Sequence, residues 1–133
     1  MLANDTVEGL PVTATPYTRA IQRFIKEASR CAVACIECVD ACFAEQDTAR
    51  LARCIQANAD CADTCETLGR LAARRHRLDG EVVRGMLRLC AIACERSAAE
   101  CDRYAARYEQ CRICAEACRA CANRCREILR SLI

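Results

Sequence analysis

Cysteine recurs along this chain at steps of three, four and seven residues, and that spacing commits the chain to helix more firmly than any other feature. A helix advances about 100° per residue, so spacing converts directly into direction. Cys31, Cys35, Cys38 and Cys42 fall within an arc of about 60° on that geometry. Cys54, Cys61 and Cys65 span about 40°, as do Cys90, Cys94 and Cys101. Cys111, Cys114, Cys118, Cys121 and Cys125 lie within about 80°. Every cysteine therefore belongs to one of four stripes. The opposite faces carry charge: Arg30, Glu37 and Asp40 behind the first stripe, Arg112, Glu116, Arg119 and Arg126 behind the fourth.

Short connections between neighbouring helices predict that they run antiparallel. Facing residues on such a pair share a constant sum of residue numbers. Cys31 with Cys65, Cys35 with Cys61 and Cys42 with Cys54 share one sum. Cys65 with Cys90, Cys61 with Cys94 and Cys54 with Cys101 share a second, and Cys101 with Cys111 and Cys94 with Cys118 a third. The expected fold is all-α, an antiparallel up-and-down four-helix bundle with a cysteine-lined core. Its layers would be Cys31, Cys65, Cys90 and Cys121, then Cys35, Cys61, Cys94 and Cys118. An incomplete layer of Cys38 and Cys114 follows, with Asn58 and Ser97 or Ala98 in place of thiols. Cys42, Cys54, Cys101 and Cys111 close the ladder, and Cys125 stands alone beyond the first layer, near Met86 and Leu87.

Element boundaries follow from the punctuation. Residues 1–16, with Pro11 and Pro16, read as an extended lead-in, and residues 17–133 as one bundle domain. The first helix is expected from Tyr17 to about Glu45, and the second from an N-cap at Asp47 to about Arg75. Asp79 caps a third, with Glu81 in its acidic first turn. The turn into the fourth falls near Tyr104 to Tyr108, placed by the ladder's symmetry because neither Gly nor Pro marks it. Two prolines and four glycines in 133 residues are too few for an all-β chain.

Compartment decides between disulfides and metal for 15 cysteines. Met1 to Pro16 shows neither a basic n-region nor an apolar h-region, so no signal peptide is read. No stretch approaches the roughly 18 apolar residues of a membrane span. The odd count leaves one thiol over in any all-disulfide scheme. The reading is cytosolic, with reduced thiols and no membrane partner. A formal net charge of +2 is a poor footprint for nucleic acid.

One free cysteine is often a small buried hydrophobe. A whole ladder of them would leave a bundle core under-packed, so something must fill it. Thiolate suits Cu(I), zinc and iron–sulfur clusters. Structural zinc and iron–sulfur sites are commonly gripped from loops. A continuous helical ladder, whose thiolates can bridge ions into a chain, suits Cu(I), with all fifteen cysteines as ligands and roughly a dozen to twenty ions per chain.

The elements Cys31-x-x-x-Cys35-x-x-Cys38-x-x-x-Cys42, Cys61-x-x-x-Cys65, Cys90-x-x-x-Cys94 and the run Cys111 to Cys125 resemble the copper storage proteins. The resemblance covers all four helices. It implies an antiparallel four-helix bundle filled with multiple Cu(I) ions, often a homotetramer, used for copper storage and detoxification. Lacking a signal peptide, the chain resembles the cytosolic branch.

Two rival functions are weaker. A thiol redox enzyme needs exposed cysteines of low pKa, whereas these point inward. A copper-sensing regulator on DNA uses few ligands and more positive charge. No catalytic constellation is present, so the chain is not read as an enzyme. His76, the one histidine, reads as a solvated turn residue. Met86 is either core filler or a ligand, and Asn58 either bonds a cysteine sulfur or ligates weakly. Arg74, Arg75 and Arg77 read as a solvated surface before an acidic docking site. The bundle end near His76 has an apolar stretch built on Phe24, Leu68, Ala72, Val83, Ile128 and Leu132. Copper is therefore expected to enter at the other end, by the Glu45–Asp47 and Tyr104–Tyr108 turns.

Overall fold

The computed structural model describes residues 16–74 and 79–131. Four helices carry almost all of them: α1 Pro16–Phe43, α2 Ala52–Ala73, α3 Gly80–Asp102 and α4 Glu109–Ser131. A short 3-10 turn, Thr48–Leu51, leads into α2. The expected lead-in lies outside the described residues except for Pro16, and so do His76 and Leu132. Pro16 opens α1, where its missing N–H costs nothing and its fixed φ is already helical.

Each helix runs antiparallel to its sequence neighbour. α1 packs against α2 and α4, and α3 packs against the same two, so the four stand at the corners of a square. The expected up-and-down bundle is thus observed. Its sequence basis is a coiled-coil repeat, with buried residues at alternating three- and four-residue steps. On α1 the buried row runs Ile21, Phe24, Ala28, Cys31, Cys35, Cys38 and Cys42. From Leu51 at the end of the 3-10 turn it continues along α2 through Cys54, Asn58, Cys61, Cys65, Leu68 and Ala72. Cysteine has taken the seam positions that leucine and isoleucine fill in ordinary bundles. Alanines beside the seam, among them Ala32, Ala62, Ala91 and Ala115, are buried too and let the helices approach closely.

The boundaries need three corrections. α1 ends at Phe43 and α2 at Ala73, each two residues short of expectation. Asp47 does not cap α2. It precedes the 3-10 turn with no side-chain capping bond, and its carboxylate lies 3.5 Å from Arg50 instead. The turn is held by Thr48, whose Oγ1 donates to the Glu45 carbonyl at 2.7 Å. Asp79 caps α3 as expected, its Oδ1 accepting from the N–H groups of Glu81 at 2.9 Å and Val82 at 3.1 Å.

The turn between α3 and α4 falls at residues 103–108, where the ladder's symmetry placed it. It needs no glycine because tightened helical hydrogen bonds carry the chain round. The Tyr104 N–H reaches the Cys101 carbonyl at 3.0 Å, and the Tyr108 N–H reaches the Tyr104 carbonyl at 2.8 Å. The Tyr104 hydroxyl donates to the Arg50 carbonyl at 3.1 Å and ties this turn to the one before α2.

At the opposite end the seam is apolar. Phe24, Leu68, Leu87 and Ile128 are all almost wholly buried there, with Ile21, Ala72 and Val83 around them. This plug does not depend on metal. The metal-free, reduced protein should therefore already show the circular dichroism of a helical bundle. A coil-to-helix transition on adding Cu(I) would mean that the plug does not suffice.

Candidate metal centre

All fifteen cysteines are free and buried. The most exposed of them, Cys42, shows only 3% of its surface. The four stripes meet along one axis as a tube of sulfur, and every predicted ligand takes part. The tube is not built of flat four-thiol layers, however. Diagonal partners define its levels. α1 and α3 contribute Cys31 with Cys94 at 3.9 Å and Cys38 with Cys101 at 3.9 Å. α2 and α4 contribute Cys65 with Cys121 at 3.8 Å and Cys61 with Cys118 at 3.9 Å. These two kinds of level alternate up the bundle. Knob-into-hole packing is the reason: a seam side chain on one helix inserts between two on its neighbour instead of meeting one head-on.

The expected layers are corrected accordingly. Cys31 joins Cys65, Cys94 and Cys121, and Cys90 moves down to join Cys121 and Cys125. Cys125 is therefore not alone. Cys31 belongs to a second group as well, with Cys35, Cys61 and Cys118. Cys38, Cys42, Cys54 and Cys111 form another, and Cys38 is shared again with Cys101 and Cys114. Within each group the sulfurs lie within 4.8 Å of one another. Contacts along the tube are short, such as 3.5 Å for Cys61 with Cys94 and 3.6 Å for Cys31 with Cys61.

These spacings suit bridged thiolates. With the zinc–thiolate bond of about 2.3 Å as a scale, three sulfurs round one ion stand about 4.0 Å apart and two stand about 4.6 Å apart. The thiols need shift by only a fraction of an ångström to a little over one to take soft ions between them. Cys31 and Cys121 link three of these groups and Cys38 links the other two, while Cys114, 3.7 Å from Cys35 and 3.8 Å from Cys118, connects the two sets.

Asn58 and Ser97 fill the places of the two missing thiols, and both are fully buried. The Ser97 hydroxyl donates to Asn58 Oδ1 at 2.7 Å. Asn58 Nδ2 donates to the Cys54 carbonyl at 2.8 Å and to the sulfurs of Cys54 at 3.3 Å and Cys38 at 3.4 Å. Cys114 donates to Asn58 Oδ1 at 2.9 Å. The expected bond from Asn58 to a cysteine sulfur is thus present. Ser97, rather than Ala98, is the residue that faces the tube's polar node. Met86 is only partly buried against the core.

Hydrogen bonding drives the thiols apart in acidity. Cys31 is pushed up by its bonds to Cys118 and Cys121, whereas Cys61 is pulled down by its bonds with Cys118 and Cys31. At the end of the tube burial pushes Cys42 up to about 12, with Cys54 and Cys111 adding to it. A thiol pushed up in this way, such as Cys31 or Cys42, keeps its proton until an ion replaces it, so loading releases protons.

The two ends differ as the sequence implied. A cleft of about 220 Å³ reaches Cys42 and Cys111 between Leu51, Tyr108, Gln110 and Arg107. Tyr104 and Tyr108 stand over this end with ring centroids 6.5 Å apart. Leu51 was missed in the sequence, although it lies one seam step before Cys54.

A helical bundle with fifteen buried, reduced thiols along its seam defines a class: a multi-thiolate container for soft metal ions. A family model described as copper storage protein matches residues 17–130, and the chain belongs to that family. Among solved structures it is similar to the cytosolic copper storage protein from Streptomyces lividans with five coppers. Identity is 42% and the TM-score 0.84, over 86% of this chain and 95% of that one. The Streptomyces lividans protein, Ccsp, loaded with 10 copper equivalents is 41% identical, with a TM-score of 0.85 over 96% and 97% of the two chains. A double histidine-to-alanine variant of Ccsp is 43% identical, with a TM-score of 0.84 over 86% and 96%. Among curated proteins no relative matches.

Proposed function

We propose that this protein stores copper, holding many Cu(I) ions on the thiolates of all fifteen cysteines inside residues 17–133. The observation that carries the reading is the tube itself, in which fifteen buried reduced thiols fall into overlapping groups of three and four. Structural zinc needs one closed set of four, and a redox enzyme needs an accessible thiol. A continuous ladder serves accumulation, so the role is storage and detoxification rather than catalysis. The similar Streptomyces lividans protein is described as cytosolic and as loaded with copper, which supports both the cargo and a cytosolic location here. No described helix is long and apolar enough to cross a membrane.

The same reading extends to a homotetramer. Val82, Leu89 and Ile92 are exposed along α3 and supply apolar surface that a second copy can cover. Anaerobic titration of the reduced protein with Cu(I), against a competing chelator and with molecular mass measured alongside, tests the proposal. Uptake should continue to roughly one ion per thiol, about a dozen to twenty per chain, because each two-coordinate thiolate bridges two ions. Saturation at one to four equivalents would remove storage and favour zinc or sensing.

A further inference from the structure

The outer face of α1 carries a second seam, on the side of the helix away from the thiols. Lys26, Ser29, Val33, Ile36, Asp40 and Phe43 are all exposed, and they recur at alternating three- and four-residue steps. That is the spacing of a coiled-coil seam. Its middle is apolar, with Val33 53% and Ile36 51% exposed, and Phe43 ends it at 62%. Arg30 and Glu37, also exposed, flank the seam at equivalent places in successive repeats.

Charge divides this face into two halves. Before Val33 the exposed charges are Arg19, Arg23, Lys26 and Arg30, and after it come Glu37 and Asp40. Among the described residues, none of Lys26, Arg30, Glu37 and Asp40 enters an ion pair within the chain. α4 differs, since Arg112, Arg119 and Arg126 each hold a carboxylate of their own bundle at 2.8–3.0 Å. A basic half and an acidic half on one apolar seam complement each other only when a second copy of the seam is reversed.

We propose that two copies of this chain pair through the outer faces of α1, antiparallel about a two-fold axis that passes between Val33 and Ile36. The inference rests on the homo-oligomer reading and adds a contact face distinct from the α3 surface. Antiparallel seams interleave unlike positions, so Val33 packs on the partner's Ile36 and Ser29 on the partner's Asp40. Lys26 comes beside the partner's Phe43, where the ring face attracts an ammonium. Arg30 comes beside the partner's Glu37, in the flanking place where paired helices carry their ion pairs. The two-fold axis makes each contact twice. Parallel pairing would set Lys26 and Arg30 against their own copies, and Glu37 and Asp40 likewise, so charge selects the direction. The seam from Lys26 to Phe43 is about 26 Å long. Pairing in this sense sets the mouth of one tube beside the plug of the other.

The test is the mass of the full chain, reduced and metal-free, by light scattering during gel filtration at low salt, where exposed charges are least screened. The unaltered protein should run above the mass of one chain. Val33→Glu together with Ile36→Glu should halve that mass, because carboxylates then fill the apolar middle of the seam. Glu37→Arg should raise the concentration at which the pairs come apart by about tenfold or more, since two attractive contacts become repulsive. Arg30→Glu together with Glu37→Arg should restore the original mass, because the swap again places opposite charges across the axis. All four positions are exposed and receive good helix formers, so circular dichroism and Cu(I) capacity should match the unaltered protein and verify folding. A single-chain mass for the unaltered protein would remove the oligomer reading and this pairing together. A larger mass that the α1 variants leave unchanged would overturn the α1 pairing alone and leave the α3 surface as the contact.

Discussion

With Cys42, Cys54, Cys101 and Cys111 all changed to serine, Cu(I) loading and removal should both slow by about tenfold or more, equivalent to at least ~1.4 kcal/mol on the barrier. The same four-fold change at Cys31, Cys65, Cys90 and Cys121 should lower capacity and leave the initial rate nearly intact. The asymmetry follows from what lies between each end of the tube and water. Towards the Pro16 end an ion leaving Cys125 meets Leu68, Ile128 and Phe24, buried side chains with no donor atom. Moving a bare charge through such a layer carries a large desolvation cost. At the other end the cleft opens directly onto Cys42 and Cys111. Those two sulfurs belong to one group with Cys38 and Cys54, so an arriving ion finds further ligands within 4.8 Å. Stopped-flow loading from a Cu(I) donor complex, and removal by a chelator, measure the two rates. Control by the deeper set would put entry at the plug end, with Met86 and Cys125 as the gate.

Phe24→Ala should remove about 3–5 kcal/mol from the stability of the metal-free protein, the usual cost of emptying a large aromatic site in a core. Phe24 is fully buried and is among the largest wholly buried side chains of the bundle. The thiols cannot compensate, because sulfur side chains contribute little apolar volume and leave most of the dense packing to the plug. Copper capacity should be unchanged, since no ligand is altered. The loss should be masked in the loaded protein, where ions bound only by the folded state add their own stabilisation. Urea unfolding of the reduced protein, with the slope checked for constancy, gives the number. A loss below about 1 kcal/mol would show that the sulfur core, not the plug, holds the bundle together.

Surface ion pairs matter much less to that balance. Arg119 with Asp102 and Arg126 with Glu95, each at 2.8 Å, bridge α4 to α3. Exposed pairs of this kind contribute at most about 1 kcal/mol each. They set the partner faces of the two helices more than the stability of the whole.

The helix count, the direction of each stripe and the identity of every inward cysteine were legible because helical periodicity is local. A residue's face depends only on its offset from its neighbours along one chain. Asp79 was legible as a cap for the same reason, since a capping side chain reaches only the next two or three N–H groups. The α3–α4 turn, which no glycine or proline marks, was legible from the register of thiols on either side. Asp47 was not, because its environment depends on the Arg50 side chain and on a 3-10 turn that local propensity does not announce.

Sequence by itself thus determined that this chain is an up-and-down bundle with sulfur along its axis. The tertiary structure decided how those sulfurs share one another. Constant sums of residue numbers align helices only to the nearest turn, and flat layers were the simplest outcome of that alignment. Packing chose a stagger instead, because side chains of facing helices must interleave to fill space. That stagger pairs Cys31 with Cys94, joins Cys125 to Cys90 and sets Cys114 beside Cys35 and Cys118. Which thiols touch is a property of four helices at once, and no single stripe contains it.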